Sequence, residues 1–346
     1  MLLAISVLFA ADARYAPEAP PPFSSAGNVE LPAEQAYWES RIRAVGGASA
    51  YNELAQSVRD ATTIQAHMRA HAFGYALYRV SGLDGTPVCD ERFSAGCFHE
   101  FFGMAISDRG VSVVSSLDTF CMQSPENRSG SCRHGIGHGI VAFFGYTPDD
   151  LEKALQLCGY VQHGDSFGAC YDGAIMEYNL RLAVSDDSSK RRPFTGDPFE
   201  PCNQISDTYA AACAFSQPEW WRQELFAVGT TTAVYARMGD YCHSLSDEPD
   251  TTSACFFGVG NGAVPVADSD TSQIVRLCTA AARSQKDNLY CRAGAAIRIN
   301  NQIDSARALR ICNGLTGNSY IYCEAFAIGS DSIYNSQYLR RLLSDL

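Results

Sequence analysis

Seven histidines occur in 346 residues, at positions 67, 71, 99, 134, 138, 163 and 243. Four of them form two sets with the same spacing, His67 and His71 in H-M-R-A-H and His134 and His138 in H-G-I-G-H. On a helix, a spacing of four puts both imidazoles on one face, one turn apart. Two neutral imidazoles so placed chelate a transition metal, and imidazole suits zinc, copper, iron and nickel. His99 is followed by Glu100 and then by Phe-Phe-Gly, so the H-E-x-x-H pattern of zincin proteases is absent.

The expected ligands are therefore His67, His71, His99, His134 and His138, in a mono- or dinuclear site. Many imidazoles with few carboxylates favour copper or zinc over calcium or magnesium, with iron a further candidate. Glu100, Asp172 and Glu177 are the expected general bases, or the groups that orient the ligands. This chemistry implies a metal-dependent enzyme, redox or hydrolytic, of unspecified substrate. For one isolated histidine, packing in the core is the better explanation. Two i,i+4 pairs shift the balance toward metal.

The elements that would position these groups are marked by cysteine. Fourteen cysteines fall into seven close pairs: 89/97, 121/132, 158/170, 202/213, 242/255, 278/291 and 312/323. None is left over, and no C-x-x-C occurs. Even number, regular spacing and no remainder read as a disulfide framework made in an oxidising compartment. The second cysteine of each pair opens a similar segment, as in CFHEFFGMAI, CRHGIGHGIV and CYDGAIMEYN. The first tends to end a helical pattern, as in DDLEKALQLC and SARALRIC. The spacing predicts an all-α chain of about seven disulfide-clamped helical hairpins, arranged as a solenoid or a toroid. Residues 33–88 would form an N-terminal helical cap and 89–346 the repeats. A strand over 110–117 (GVSVVSSL) is a minor alternative.

The repeat frame sharpens the metal hypothesis. Two residues after the second cysteine stand His99, His134 and Asp172 in the first three repeats. Stacked repeats would place them in a row, with His138 one turn below. Six residues after it, later repeats carry Glu219 and Asn261. His163 and His243 fall between paired cysteines and read as solvated loop residues.

This layout resembles the cysteine-rich Sel1-like helical repeat proteins, with VCDERFSAGCFHEFFGMAI (88–106) as the best local match. In that family a cysteine pair ties the two helices of each repeat. The resemblance implies an architecture and no particular activity.

The remaining features bound the function. Lys and Arg number 26 and Asp and Glu 38, a net charge of −12, which argues against a nucleic-acid partner. No apolar run is long enough for a transmembrane helix. MLLAISVLFA followed by Ala-Asp-Ala reads as a signal-peptide remnant, and the Pro-rich stretch to residue 32 as a leader. A periplasmic or secreted location follows. Gly258-Val-Gly260-Asn-Gly262 lacks the Lys-Ser/Thr of a phosphate loop and reads as helix packing. Trp220-Trp221 reads the same way, with a sugar or peptide groove as the alternative. Two other functions compete with an enzyme: a non-catalytic scaffold holding a peptide or glycan on its concave surface, and a metal storage or delivery protein.

Overall fold

Polar caps start many of the helices. Thr62, Thr147 and Ser284 each accept from the backbone N–H three residues on, and the side chains of Gln65, Asp150 and Asp287 return the bond. Asp270 and Asp304 cap two more in the same region of the chain. The computed structural model describes residues 19–24, 29, 31–123, 126–161, 168–181, 192–225 and 232–329. These form fifteen α-helices, and no strand occurs among the described residues. The helices are α1 (Leu31–Val45), α2 (Gly47–Ser57), α3 (Thr63–Ser81), α4 (Gly96–Arg109), α5 (Val114–Gln123), α6 (Glu126–Phe144), α7 (Pro148–Cys158) and α8 (Ala169–Leu180). They continue with α9 (Ala210–Trp220), α10 (Thr232–Leu245), α11 (Pro249–Val266), α12 (Thr271–Ala281), α13 (Gln285–Gln302), α14 (Ser305–Ile311) and α15 (Gly317–Ile328).

The helices that carry the second cysteine of each pair form one row. In it α3, α4, α6, α8, α9, α11, α13 and α15 each pack on the next, with α1 against α3 at the start. The helices α5, α7, α10, α12 and α14 pack against the members of this row. Seven disulfides join the cysteines in the sequential pairs expected, with Cα–Cα distances from 5.4 to 5.7 Å, and no cysteine is free. Large side chains fill the core from end to end, among them Trp38, Phe73, Phe101, Trp220, Phe256 and Phe326.

Glycine allows the row to close up. A Cβ on Gly137 of α6 would run into the carbonyl of Cys170 on α8, and one on Gly173 of α8 into the carbonyl of His134. The two backbones therefore touch through a reciprocal pair of bare Cα positions. Gly258 and Gly260 of α11 meet Phe215 and Cys291 in the same way. The Gly-Val-Gly-Asn-Gly run is thus interior helix and not a loop.

Three local expectations are settled by packing. Of residues 110–117, Gly110 ends α4 at positive φ and 111–117 are helical, because Val113, Val114 and Leu117 face the core at helical spacing and tertiary burial overrides β-propensity. His243 is not a loop residue but lies in the last turn of α10, where it bonds Asp287 at 3.0 Å. Trp220 and Trp221 are fully buried and their indole N–H groups donate to the carbonyls of Arg192 and Pro198, so they line no groove. Within the leader, Arg69 donates to the carbonyl of Pro21 and stacks against Phe23. The signal-like residues 1–13, His163 and the chain beyond Gly329 lie outside the described residues.

Candidate metal centre

Four neighbouring helices of the row bring the eight predicted residues together. α3 supplies His67 and His71, α4 supplies His99 and Glu100, α6 supplies His134 and His138, and α8 supplies Asp172 and Glu177. His71 Nε2 lies 3.1 Å from His67 Nε2 and 3.3 Å from His99 Nδ1. His138 Nε2 lies 3.0 Å from His134 Nε2. The ligand nitrogens group as two triads, His67–His71–His99 and His99–His134–His138, each within 4.8 Å. His99 belongs to both.

The outer nitrogens are held by oxygen. His134 Nδ1 sits 2.9 Å from Asp172 Oδ2, and His138 Nδ1 sits 2.8 Å from Glu177 Oε2. His67 Nδ1 donates to the carbonyl of Phe93 at 2.7 Å. His71 Nδ1 faces Glu100 at 3.6 Å. A third layer fixes the carboxylates. Tyr146 donates to Glu177 Oε1 at 2.8 Å, and Ser216 donates to Asp172 Oδ1 at 2.6 Å. Carbonyls and carboxylates only accept, so His67, His134 and His138 carry their proton on Nδ1. In the neutral ring Nε2 is then a bare lone pair.

This tautomer assignment makes the inner geometry informative. With both rings neutral, the Nε2 lone pairs of His134 and His138 face one another at 3.0 Å. Such an arrangement is repulsive unless a proton or a metal cation lies between the two nitrogens. Metal–nitrogen bonds of about 2.0–2.1 Å put neighbouring ligand atoms about 2.9 Å apart in a square or octahedral set and about 3.3 Å in a tetrahedral one. The observed 3.0, 3.1 and 3.3 Å fall in that range. Two buried ring nitrogens, His71 Nδ1 and His99 Nε2, have no hydrogen-bond partner. The donor set therefore fits a transition metal.

Burial sets the charge state. His138 and Glu177 are fully buried, and His71 and His99 nearly so. Burial presses the His67 ring down to about 3 and the His71 ring to about 4, with the His71 charge adding to the effect at His67. Burial and then the neighbouring rings hold His99 and His138 well below the usual imidazole range. All four are neutral at physiological pH, which is the form that binds metal. Burial, with the nearby Glu177 charge, pushes the Glu100 carboxyl up to about 8. At Asp172 burial acts upward, but the His134 ring and the Ser216 hydroxyl outweigh it and the carboxyl is lowered. His134 and Asp172 keep a small exposed edge, 13% of each side chain, and Glu100 one of 15%.

Three supporting groups escape sequence reasoning. The Phe93 carbonyl is presented by a turn over Arg92–Ala95 in which Phe93, Ser94 and Ala95 all take positive φ. No residue type announces that conformation. Tyr146 reaches Glu177 from beyond the end of α6, across 31 residues of chain. Ser216 lies one residue past the repeat offset of His99, His134 and Asp172, which Phe215 occupies, and reaches Asp172 from α9.

A second polar cluster extends the same row of helices. Arg222 holds Glu219, Gln223 also donates to Glu219, and Arg298 donates to the backbone and side-chain oxygens of Asn261. Glu219 and Asn261 occupy the six-residue offset that His138 occupies in its own repeat. α13, which carries Arg298, packs against the Arg92–Ala95 turn that holds His67.

Neither a protein-family model, nor a curated protein, nor a solved structure matches this chain.

Proposed function

We propose that this protein is an exported metal-dependent enzyme whose centre is the five-histidine cluster of α3, α4 and α6. The observation that carries the reading is the 3.0 Å approach of two Nε2 atoms, on His134 and His138, whose Nδ1 atoms both face carboxylates. Copper or zinc suits the all-imidazole donor set, with iron next. Bound there, such an ion supplies Lewis-acid or one-electron chemistry.

The chain's own residues do the rest. Asp172 and Glu177 fix two rings in the ligating tautomer and raise their basicity. Glu100 holds a proton beside the cluster at neutral pH and is placed to exchange it with a reactant. The exposed edge at His134 and Asp172 gives a reactant its approach.

Rigidity supports catalysis over storage. Disulfides clamp Cys97, Cys132 and Cys170, at the starts or within the helices that carry the ligands and their carboxylates. A storage site gains from easy exchange, whereas a preorganised centre gains from fixed geometry. Seven disulfides favour a periplasmic or secreted location, and among the described residues no helix is long and apolar enough to cross a membrane. The scaffold reads as about seven clamped hairpins. Contact between α13 and the Arg92–Ala95 turn favours the toroid over the open solenoid.

Elemental analysis of protein exported to an oxidising compartment tests the function. The wild type should carry a transition metal in stoichiometric amount, and His134→Ala with His138→Ala should lose at least half of it. Oxidase and hydrolase assays on the loaded protein then separate enzyme from storage. Wild type with intact disulfides and no metal above background sinks the reading.

A further inference from the structure

We infer that His99 is a bridging ligand, giving its two ring nitrogens to two different metal ions. This rests on the metal-centre reading and goes beyond it by fixing the nuclearity and the residue that couples the ions.

The two triads have one member in common. Nδ1 of His99 lies 3.3 Å from His71 Nε2, so this nitrogen faces the α3 pair. The other nitrogen, Nε2, is buried and has no hydrogen-bond partner. The His99 ring also packs between the two pairs. Its centroid is 5.2 Å from those of His67 and His71, 5.0 Å from that of His134 and 4.5 Å from that of His138.

The other four rings differ from it in one respect. His67, His134 and His138 each turn Nδ1 outward to a hydrogen-bonding oxygen, at Phe93, Asp172 or Glu177, and Nε2 inward, while His71 turns Nδ1 toward Glu100 at 3.6 Å, too far for a hydrogen bond. Each therefore has one nitrogen for a metal. His99 alone has neither nitrogen turned to an oxygen acceptor. An outer partner fixes the tautomer of a terminal ligand, whereas a bridging ligand has no N–H left to donate. The α3 pair and the α6 pair then each complete a three-nitrogen set through the same ring.

The proton balance is simple. A neutral His99 carries one N–H. Two divalent ions, one on each side, take both lone pairs, and that proton leaves to solvent. Ligand deprotonation driven by metal charge is general in such sites.

Copper(II) is the probe, because two copper(II) ions on one imidazolate couple their spins. Apo protein with its disulfides intact is titrated with copper(II) sulfate, freed of excess by gel filtration, and measured for total copper and for the spin count by electron paramagnetic resonance. The wild type should hold about two coppers per chain, with a low-temperature spin count several-fold below the bound copper. His71→Ala and His138→Ala should each hold about one copper with full spin count. His99→Ala should lose the coupling, every copper it still holds being counted as a free spin. If His99→Ala does not fold, the two single-site variants and the wild type still decide the question. Two coppers with full spin count in the wild type overturn the bridge, as does saturation at one copper. No copper binding at all overturns the metal-centre reading underneath.

Discussion

At the scale of single residues, the centre depends on which nitrogen each ring offers. Glu177 shows this best. It is fully buried and accepts from His138 Nδ1 and from the Tyr146 hydroxyl. Glu177→Gln keeps the volume and removes the charge that orients His138. Loss of such an outer partner typically weakens metal binding about 10–100-fold. Competition against a chromophoric chelator measures it, and an unchanged affinity would mean that packing alone holds the ring. Tyr146→Phe, which removes one donor from a carboxylate that keeps its histidine, should cost less. The eight residue types were legible from spacing and repeat register alone. The tautomers were not, because they follow from partners such as the Phe93 carbonyl that lie 26 residues away in the chain.

At the scale of elements, glycine sets how closely the ligand helices approach. Gly173→Ala would drive a Cβ into the His134 carbonyl and push α8 off α6. Overpacking of this kind costs about 1–3 kcal/mol. It should lower the urea midpoint and also weaken metal binding, since Asp172 would no longer reach His134. Chemical denaturation of the apo and loaded variant separates the two effects. Away from the centre, Asp270 accepts from the N–H groups of Ser272 and Gln273 at the start of α12. Bonds from Ser272 and Gln273 lower its carboxyl below the ordinary 3.8. As pH falls, the unfolded chain therefore takes up this proton before the folded one. The stabilisation is whole above 3.8 and is lost as pH falls through the folded value. Asp270→Ala should lower Tm at neutral pH, and the gap to wild type should narrow as pH falls below 3.8. A gap that stays constant with pH would assign the effect to helix propensity instead.

At the scale of the whole molecule, the disulfides hold a long row of short elements in register. Each closes a loop of 8 to 13 residues. Loop closure of that length contributes about 2–3 kcal/mol. Cys158→Ser with Cys170→Ser should therefore lower the unfolding free energy by about that amount while leaving the helical circular dichroism intact. Full reduction of all seven bonds removes several times more, and should unfold the chain at a temperature where the oxidised protein is stable. Calorimetry with and without reductant checks both. If the reduced chain melts with the oxidised one, the core alone is sufficient and the bonds are incidental.

The sequence by itself determined the all-helical class and the identity of the clustered side chains, and pointed to the seven sequential cysteine pairs that the tertiary structure joins. These follow from local rules: a period in cysteine, apolar spacing of three and four, and paired histidines one helical turn apart. Tertiary structure decided the rest. It turned 111–117 of the candidate strand 110–117 to helix, because the core rewards burial at Val114 and Leu117. It placed His243 on a helix beside Asp287 and buried Trp220 and Trp221. Above all it made His99 common to two triads, since only the packing of α4 between α3 and α6 can set one ring against two pairs from different helices.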